Sequence, residues 1–252
     1  IANMRPRIHQ PFVGRSAFAH KGGIHVDAVL KNKTTYEHIV PEAVGNRQRI
    51  LVSDLSGKSN IVAKAREFKL DLNVKDPSVR EIVNRIKELE HQGYQYEAAD
   101  GSLEILMKKA TGQWKKKFKV HRARVIVSLS DDPIHQFAEA VVVVGLPGEK
   151  GWRRGFSEGN GPVNALDNAL RKAVAGYFPQ LKSVKLVDYK VRLMENERGT
   201  GAKTHVLIES TDEKSGEKWG TVGVSENIIE ASWQALIDSI DYRLHKKASD
   251  KR

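Results

Sequence analysis

The chain has 252 residues, of which 40% are hydrophobic and 29% charged, the composition of a packed globular protein rather than a disordered one. Cysteine is absent, which excludes disulfides and thiolate metal sites, and no apolar run approaches the roughly 18 residues that a membrane span needs. The formal charge of +11 would suit nucleic acid, an anionic membrane or a polyphosphate. That charge is dispersed, however. Its densest cluster, "KKATGQWKKKFKVHRAR" from Lys108 to Arg124, falls at an apparent domain joint and reads as a solvated linker. With no signal-peptide pattern and Ile1 as first residue, the chain is expected to be cytoplasmic and a piece of a longer protein.

In chain order, residues 1–50 read as irregular, apart from a helix starting near Gly23 and ending around Lys31. In "DLSGKSNIVAKAREF", Ser59 or Asn60 is the expected cap of a helix whose apolar positions are Ile61, Val62, Ala65 and Phe68. "KDPSVREIVNRIKELEHQGY" is clearer. Asp76 is a good N-cap, Pro77 takes the first helical position, Val79, Ile82, Val83, Ile86 and Leu89 form one stripe, and Gly93 stops it. "DGSLEILMKKATG" reads as a short helix or strand. Residues 50–112 are thus expected to form a small helical unit.

The texture changes near residue 116. Three extended runs, "FKVHRARVIVSL", "EAVVVVGL" and "GWRRGFSEG", precede a helix, "NGPVNALDNALRKAVAGYF", whose inner face is Val163, Leu166, Leu170, Ala173, Val174 and Tyr177. The order then repeats. "VKLVDYKVRLM", "THVLIEST" and "KWGTVGVSEN" are strands, and the last helix turns Ile229, Trp233, Leu236, Ile237, Ile240 and Leu244 inward. Trp152 and Trp219, Gly155 and Gly223, Ser157 and Ser225, and Glu158 and Glu226 correspond. This is an internal duplication of a βββα unit, in repeats of about 116–182 and 183–246. The predicted fold is α+β: small helical linker subdomains, then two βββα units in one antiparallel layer carrying two helices. Apolar strand faces point to a homodimer. The helix starts "NGPVNA" and "SENIIEAS" offer either free N–H groups to a carboxylate or ordinary capping by Asn or Ser.

The stretch "AFAHKGGIHVDAVLKNKTTYEHI", Ala17 to Ile39, holds three histidines. His20 and His25 are five apart and do not share a helical face, and no carboxylate sits at a usual ligand spacing between them, so a metal site is not expected here. Gly22-Gly23 permits an unusual turn but has no phosphate-loop Lys-Ser/Thr after it. His25 opens a helix, where a structural role and an acid or base role both remain open.

"SAFAHKGGIHVDAVLKNKTTYEHIVPEAVGNRQRILVSDLSGKSNI" resembles the segment following the catalytic barrel in the citramalate synthase and 2-isopropylmalate synthase family, with wording nearer the citramalate branch. The duplicated region resembles that family's regulatory, dimer-forming domain, so the resemblance covers essentially the whole chain. It implies an acyltransferase performing a Claisen-type condensation of acetyl-CoA with a 2-oxo acid, pyruvate giving (R)-citramalate. It also implies domains at 1–48 (post-barrel), 49–115 (helical linker) and 116–252 (regulatory). A divalent metal (Zn, Mn or Mg) is implied in an upstream barrel, held there by an acidic residue and a His-x-His pair. No His-x-His occurs in this chain, so no cofactor is expected in this part, which alone should be inactive.

Two catalytic positions carry over. The histidine of "GGIHVDAV" is His25, and the tyrosine eight residues ahead of the Val-Gly of "PEAVG" is Tyr36. The family implies that they reach the barrel mouth of the partner subunit and assist acetyl-CoA deprotonation or the hydrolytic water. His20 and His38 are read as structural or supporting. The family precedent is also feedback inhibition, by isoleucine for citramalate synthase or leucine for 2-isopropylmalate synthase. By position, Val163, Asn164, Leu186, Asp188 and Tyr189 match places lining the effector pocket. Coupling is expected through differential effector affinity, with a hinge around 112–118. The alternatives are 2-isopropylmalate synthase acting on 2-oxoisovalerate, and a stand-alone amino-acid-sensing module. A nucleic-acid binder fits poorly, for want of a helix-turn-helix or an aromatic-studded basic sheet.

Overall fold

In a computed structural model, residues 6–129, 137–194 and 201–246 are described. The chain divides into two units, Ile1–Glu97 with Leu106–Gly112, and Ala98–Ile105 with Gln113–Arg252. No helix among the described residues is long and apolar enough to cross a membrane.

The first unit begins with β1 (Ala19–His20) and α1 (Gly23–Lys31), followed by 3-10 turns at Lys33–Thr35 and Pro41–Val44. β2 (Arg49–Ile50) pairs in parallel with β1. α2 (Lys58–Glu67) and α3 (Pro77–His91) complete it. α1 buries Val26 and Val29, α2 buries Ile61 and Ala65, and α3 buries Val79, Ile82 and Ile86. The helix expected over 23–31 forms with those bounds. Asp76 caps α3 by accepting the Ser78 N–H at 2.9 Å, with Pro77 at the first position. α2 starts earlier than the sequence suggests. Its N-cap is Gly57, and Asn60 lies inside the helix with Oδ1 accepting the Gly57 N–H at 3.3 Å. Asn60 also donates to the Lys21 and Leu51 carbonyls, so its side chain serves neighbouring loops rather than the start of its own helix. The ambiguous stretch after residue 100 is a helix, α4 (Asp100–Ala110), within which the division between units falls.

The second unit holds the duplication. β3 (Lys119–Ser128), β4 (Phe137–Gly145) and β5 (Arg153–Gly159) form one antiparallel sheet, and α5 (Pro162–Val174) packs on β4 and β5. β6 (Val184–Leu193), β7 (Thr204–Asp212) and β8 (Lys218–Ser225) form a second, with α6 (Ile228–His245) on β7 and β8. The fold is α+β, but the single layer expected from the sequence is two three-stranded sheets. Each helix covers its own sheet, and α5 also touches α6, so among the described residues the repeats share a core without edge-to-edge strand pairing.

Glycine makes this packing feasible. A Cβ on Gly155 would lie 1.9 Å from the Ala169 carbonyl oxygen, and one on Gly223 would lie 2.0 Å from that of Ala231. Both matched glycines therefore let a helix backbone touch its strand. α5 buries Leu166, Leu170, Ala173 and Val174 as expected. Tyr177 lies beyond the helix and is half-exposed, its hydroxyl donating to the Pro147 carbonyl at 2.6 Å. In α6, Leu236, Ile240 and Leu244 are buried, with Ile229, Trp233 and Ile237 packed against the core.

Candidate functional site

Two arrangements collect chemistry-bearing residues, one in each unit. In the first, α1 presents His25 to solvent just after the Gly22-Gly23 turn. Gly23 sits where a Cβ would lie 3.1 Å from the Gly57 backbone nitrogen, so the loop before α2 closes directly against the start of α1. The 3-10 turn after α1 then brings Tyr36 back over His25. Their rings stack with centroids 4.3 Å apart and an interplanar angle of 30°. Tyr36 is 47% exposed, so a hydroxyl and an imidazole stand together at the surface. His20 approaches Tyr36 edge-on with ring centroids 6.4 Å apart, and its Nε2 lies 3.0 Å from Glu37 Oε1. His38 is exposed and edge-on to Phe12. Such a pair can move a proton through imidazole and donate a hydrogen bond through phenol. Among the described residues no group of three or more His, Asp or Glu is placed to hold a metal ion.

The second unit contains a cleft of about 660 Å3, within the size range of small-molecule sites. It lies between the start of α5 and β6. Val163, Asn164, Leu186 and Tyr189, all expected effector residues, line it. Asp188 does not. The β6–β7 register shifts between Leu186 and Asp188, and this bulge breaks the alternation that would have put both on one face. Asp188 instead pairs with Lys190. The apolar wall is completed by Phe178, Leu181 and Val184.

Several lining groups carry no local sequence signal. Arg171 sits on Asp167 at 2.9 Å and donates to the Leu181 and Val184 carbonyls at 3.2 and 3.0 Å. It thus ties α5 to the turn entering β6. An i,i+4 Asp–Arg pair ordinarily reads as a solvated helix face. Lys182 and Lys185 stand exposed at the rim. Tyr189 Oη lies 2.7 Å from Ser232 Oγ, fixing that wall to α6. The two helix starts resolve differently. Asn227 caps α6, its Oδ1 accepting from Ile229 and Glu230, whereas the N-cap of α5, Gly161, supplies no side chain. The first-turn amide groups of α5, beside the cleft, lack the side-chain acceptor that α6 has.

Comparison with known proteins follows this division. Residues 97–244, more than half of the chain, match the model described as LeuA allosteric (dimerisation) domain. The chain belongs to that family. Residues 12–94 match homocitrate synthase post-HMGL domain-like sequences. The chain is 53% identical over 246 residues to the (R)-citramalate synthase of Geobacter sulfurreducens, covering 98% of this chain and 46% of that protein. The (R)-citramalate synthase of Aquifex aeolicus is 51% identical, with the same coverage. The 2-isopropylmalate synthase of Methanocaldococcus jannaschii is more distant, 31% identical over 95% of this chain and 43% of its own. The chain spans about half the length of the curated relatives it matches.

Proposed function

We propose that the chain is the linker and regulatory part of a citramalate synthase, an acyltransferase that condenses acetyl-CoA with pyruvate to (R)-citramalate and is inhibited by isoleucine. The observation that carries this reading is 51–53% identity to (R)-citramalate synthases across 98% of the chain, against 31% to a 2-isopropylmalate synthase. A divalent metal polarising the keto acid belongs, in this reading, to the rest of the longer protein.

In the first unit, His25 and Tyr36 supply the acid–base groups. A methyl beside a thioester is a weak acid, so its deprotonation needs both a base and a donor to the developing enolate oxygen. An exposed imidazole beside a phenol meets both needs. Tyr36→Phe removes the hydroxyl from an exposed ring, so folding is retained and kcat falls about 100-fold.

In the second unit, the cleft between α5 and β6 takes the effector. Its aliphatic chain lies against Val163, Leu181, Val184 and Leu186, and its carboxylate meets the open α5 start. Asn164 and Asp167 offer acceptors to the ammonium group. The exposed apolar side chains of β3 and β6, including Ile126, Val127, Val187 and Val191, are proposed as the homodimer surface. The deciding experiment is a steady-state assay of the longer protein with pyruvate and with 2-oxoisovalerate, each with isoleucine or leucine. Turnover of pyruvate, inhibited by isoleucine, is expected. Preference for 2-oxoisovalerate with leucine inhibition would replace the reading.

A further inference from the structure

Between Leu30 and His38 the chain is exposed at every residue except Glu37, which is buried. A carboxylate is an expensive anchor for a loop, because burying it costs several kcal/mol unless it is paired. An aliphatic side chain would hold the turn down at lower cost. What a carboxylate adds is direction. Glu37 Oε1 receives two side chains, His20 Nε2 at 3.0 Å and Gln48 Nε2 at 2.9 Å. These come from the two ends of one structural element: His20 closes β1, Gln48 precedes β2, and the two strands pair at Ala19↔Arg49 and His20↔Ile50. The second oxygen, Oε2, is buried with no hydrogen-bond partner among the described residues, so both bonds converge on one atom. Just past the 3-10 turn, the Glu37 N–H also donates to the Lys33 carbonyl at 3.1 Å, beside the Tyr36 N–H that closes the turn on the same oxygen. Its neighbour is Tyr36, whose ring is edge-on to His20 and stacked on His25.

We propose that Glu37 is a positioning residue: by accepting His20 and Gln48 on one carboxylate oxygen, it ties the Tyr36 turn to the β1–β2 pair and holds Tyr36 stacked on His25. This rests on the proposed roles of His25 and Tyr36, but its geometric half does not depend on them. Side-chain hydrogen bonds fix the turn's orientation, which an apolar anchor cannot do.

The test uses Glu37→Leu, which keeps a buried side chain but removes both acceptors, and Glu37→Gln, which keeps one acceptor oxygen. NMR of the 252-residue chain reads the ring-current shift and the ring–ring NOE between His25 and Tyr36. Steady-state kinetics on the longer protein read kcat and KM separately. The leucine variant is expected to lose the NOE and about 10- to 100-fold in kcat, with KM for the 2-oxo acid within about twofold. The glutamine variant is expected to keep the NOE and most of the rate. A leucine variant that retains both the NOE and kcat overturns the proposal. If it does not fold, Gln48→Met removes one donor and is expected to lower kcat about threefold to tenfold; an unchanged kcat there overturns the proposal equally. Full activity in both Tyr36→Phe and His25→Ala would instead remove the reading of the catalytic pair, whatever the NOE shows.

Discussion

The two βββα repeats share a topology and diverge in what they do with it. Each turns one glycine-bearing strand toward its own helix, and Gly155 and Gly223 meet α5 and α6 at nearly the same distance. Their tryptophans part company. Trp219 is buried and donates to Ser239 Oγ at 3.0 Å, whereas Trp152 is half-exposed and stacks on His121. Their ion pairs differ as well. In the second repeat Arg243 and Asp212 are both buried, 2.7 Å apart, while Arg171 and Asp167 of the first are partly exposed beside the cleft. Their helix starts complete the contrast, with α6 capped by Asn227 and α5 left open. One copy has become a closed scaffold, and the other keeps polar groups at a cavity wall. Duplication supplies the frame, and divergence at a few positions leaves a cleft with polar lining in the first copy.

The contrast can be broken at several strengths. Arg243→Leu leaves Asp212 buried without its cation and is expected to cost about 3–5 kcal/mol in urea unfolding. Arg171→Leu, at the wetter pair, should cost about 1–2 kcal/mol. Equal losses would remove the distinction between scaffold and wall. Asp212 also predicts a pH dependence. Burial alone would raise its pKa, but the Ser183 hydroxyl, the Lys214 N–H and the Arg243 guanidinium together bring it down to about 2. A carboxyl depressed in the folded state stabilises above its unfolded value and loses that contribution as pH falls through the folded value. About 2 kcal/mol should therefore disappear between roughly pH 4 and pH 2, and Asp212→Asn should abolish that segment of the stability curve.

Smaller effects sharpen the symmetry. Gly155→Ala and Gly223→Ala should each cost about 1–3 kcal/mol, because each new methyl meets a helix carbonyl. Similar values would show that the shared strand–helix contact matters equally in both copies. Asn227→Ala should cost about 1 kcal/mol through the lost α6 cap. At Gly161 the backbone is extended and a Cβ meets nothing within 4 Å, so Gly161→Asn can add the missing cap to α5. It should leave the free protein as stable or slightly more so, and weaken effector binding by occupying the amide groups of the α5 start.

Much of this was legible from local pattern. The α3 start at Asp76-Pro77, the helix from Gly23 to Lys31 and the repeat itself depend on residues close in sequence. The gathering of Val163, Asn164, Leu186 and Tyr189 along one cleft joins residues distant in sequence, and its expectation comes from matched positions in a resembling family rather than from local pattern. What stayed hidden depends on distant partners. The bulge that turns Asp188 away is a property of β6 against β7, not of β6. Arg171 reads as a surface pair until the turn entering β6 brings two carbonyls to it. Glu37 lies in a polar stretch with no sign of burial, and only His20 and Gln48, 17 and 11 residues away, give it a place.

The central claim is that the cleft between α5 and β6 senses a branched-chain amino acid. Isothermal titration of the 252-residue chain with isoleucine, valine and leucine tests it most directly. The account predicts saturable isoleucine binding with a negative heat-capacity change, about fourfold weaker binding of valine for the missing methylene, and loss of affinity in Gly161→Asn. No heat from any of the three amino acids, or isoleucine binding untouched by Gly161→Asn and by Tyr189→Ala, would contradict it.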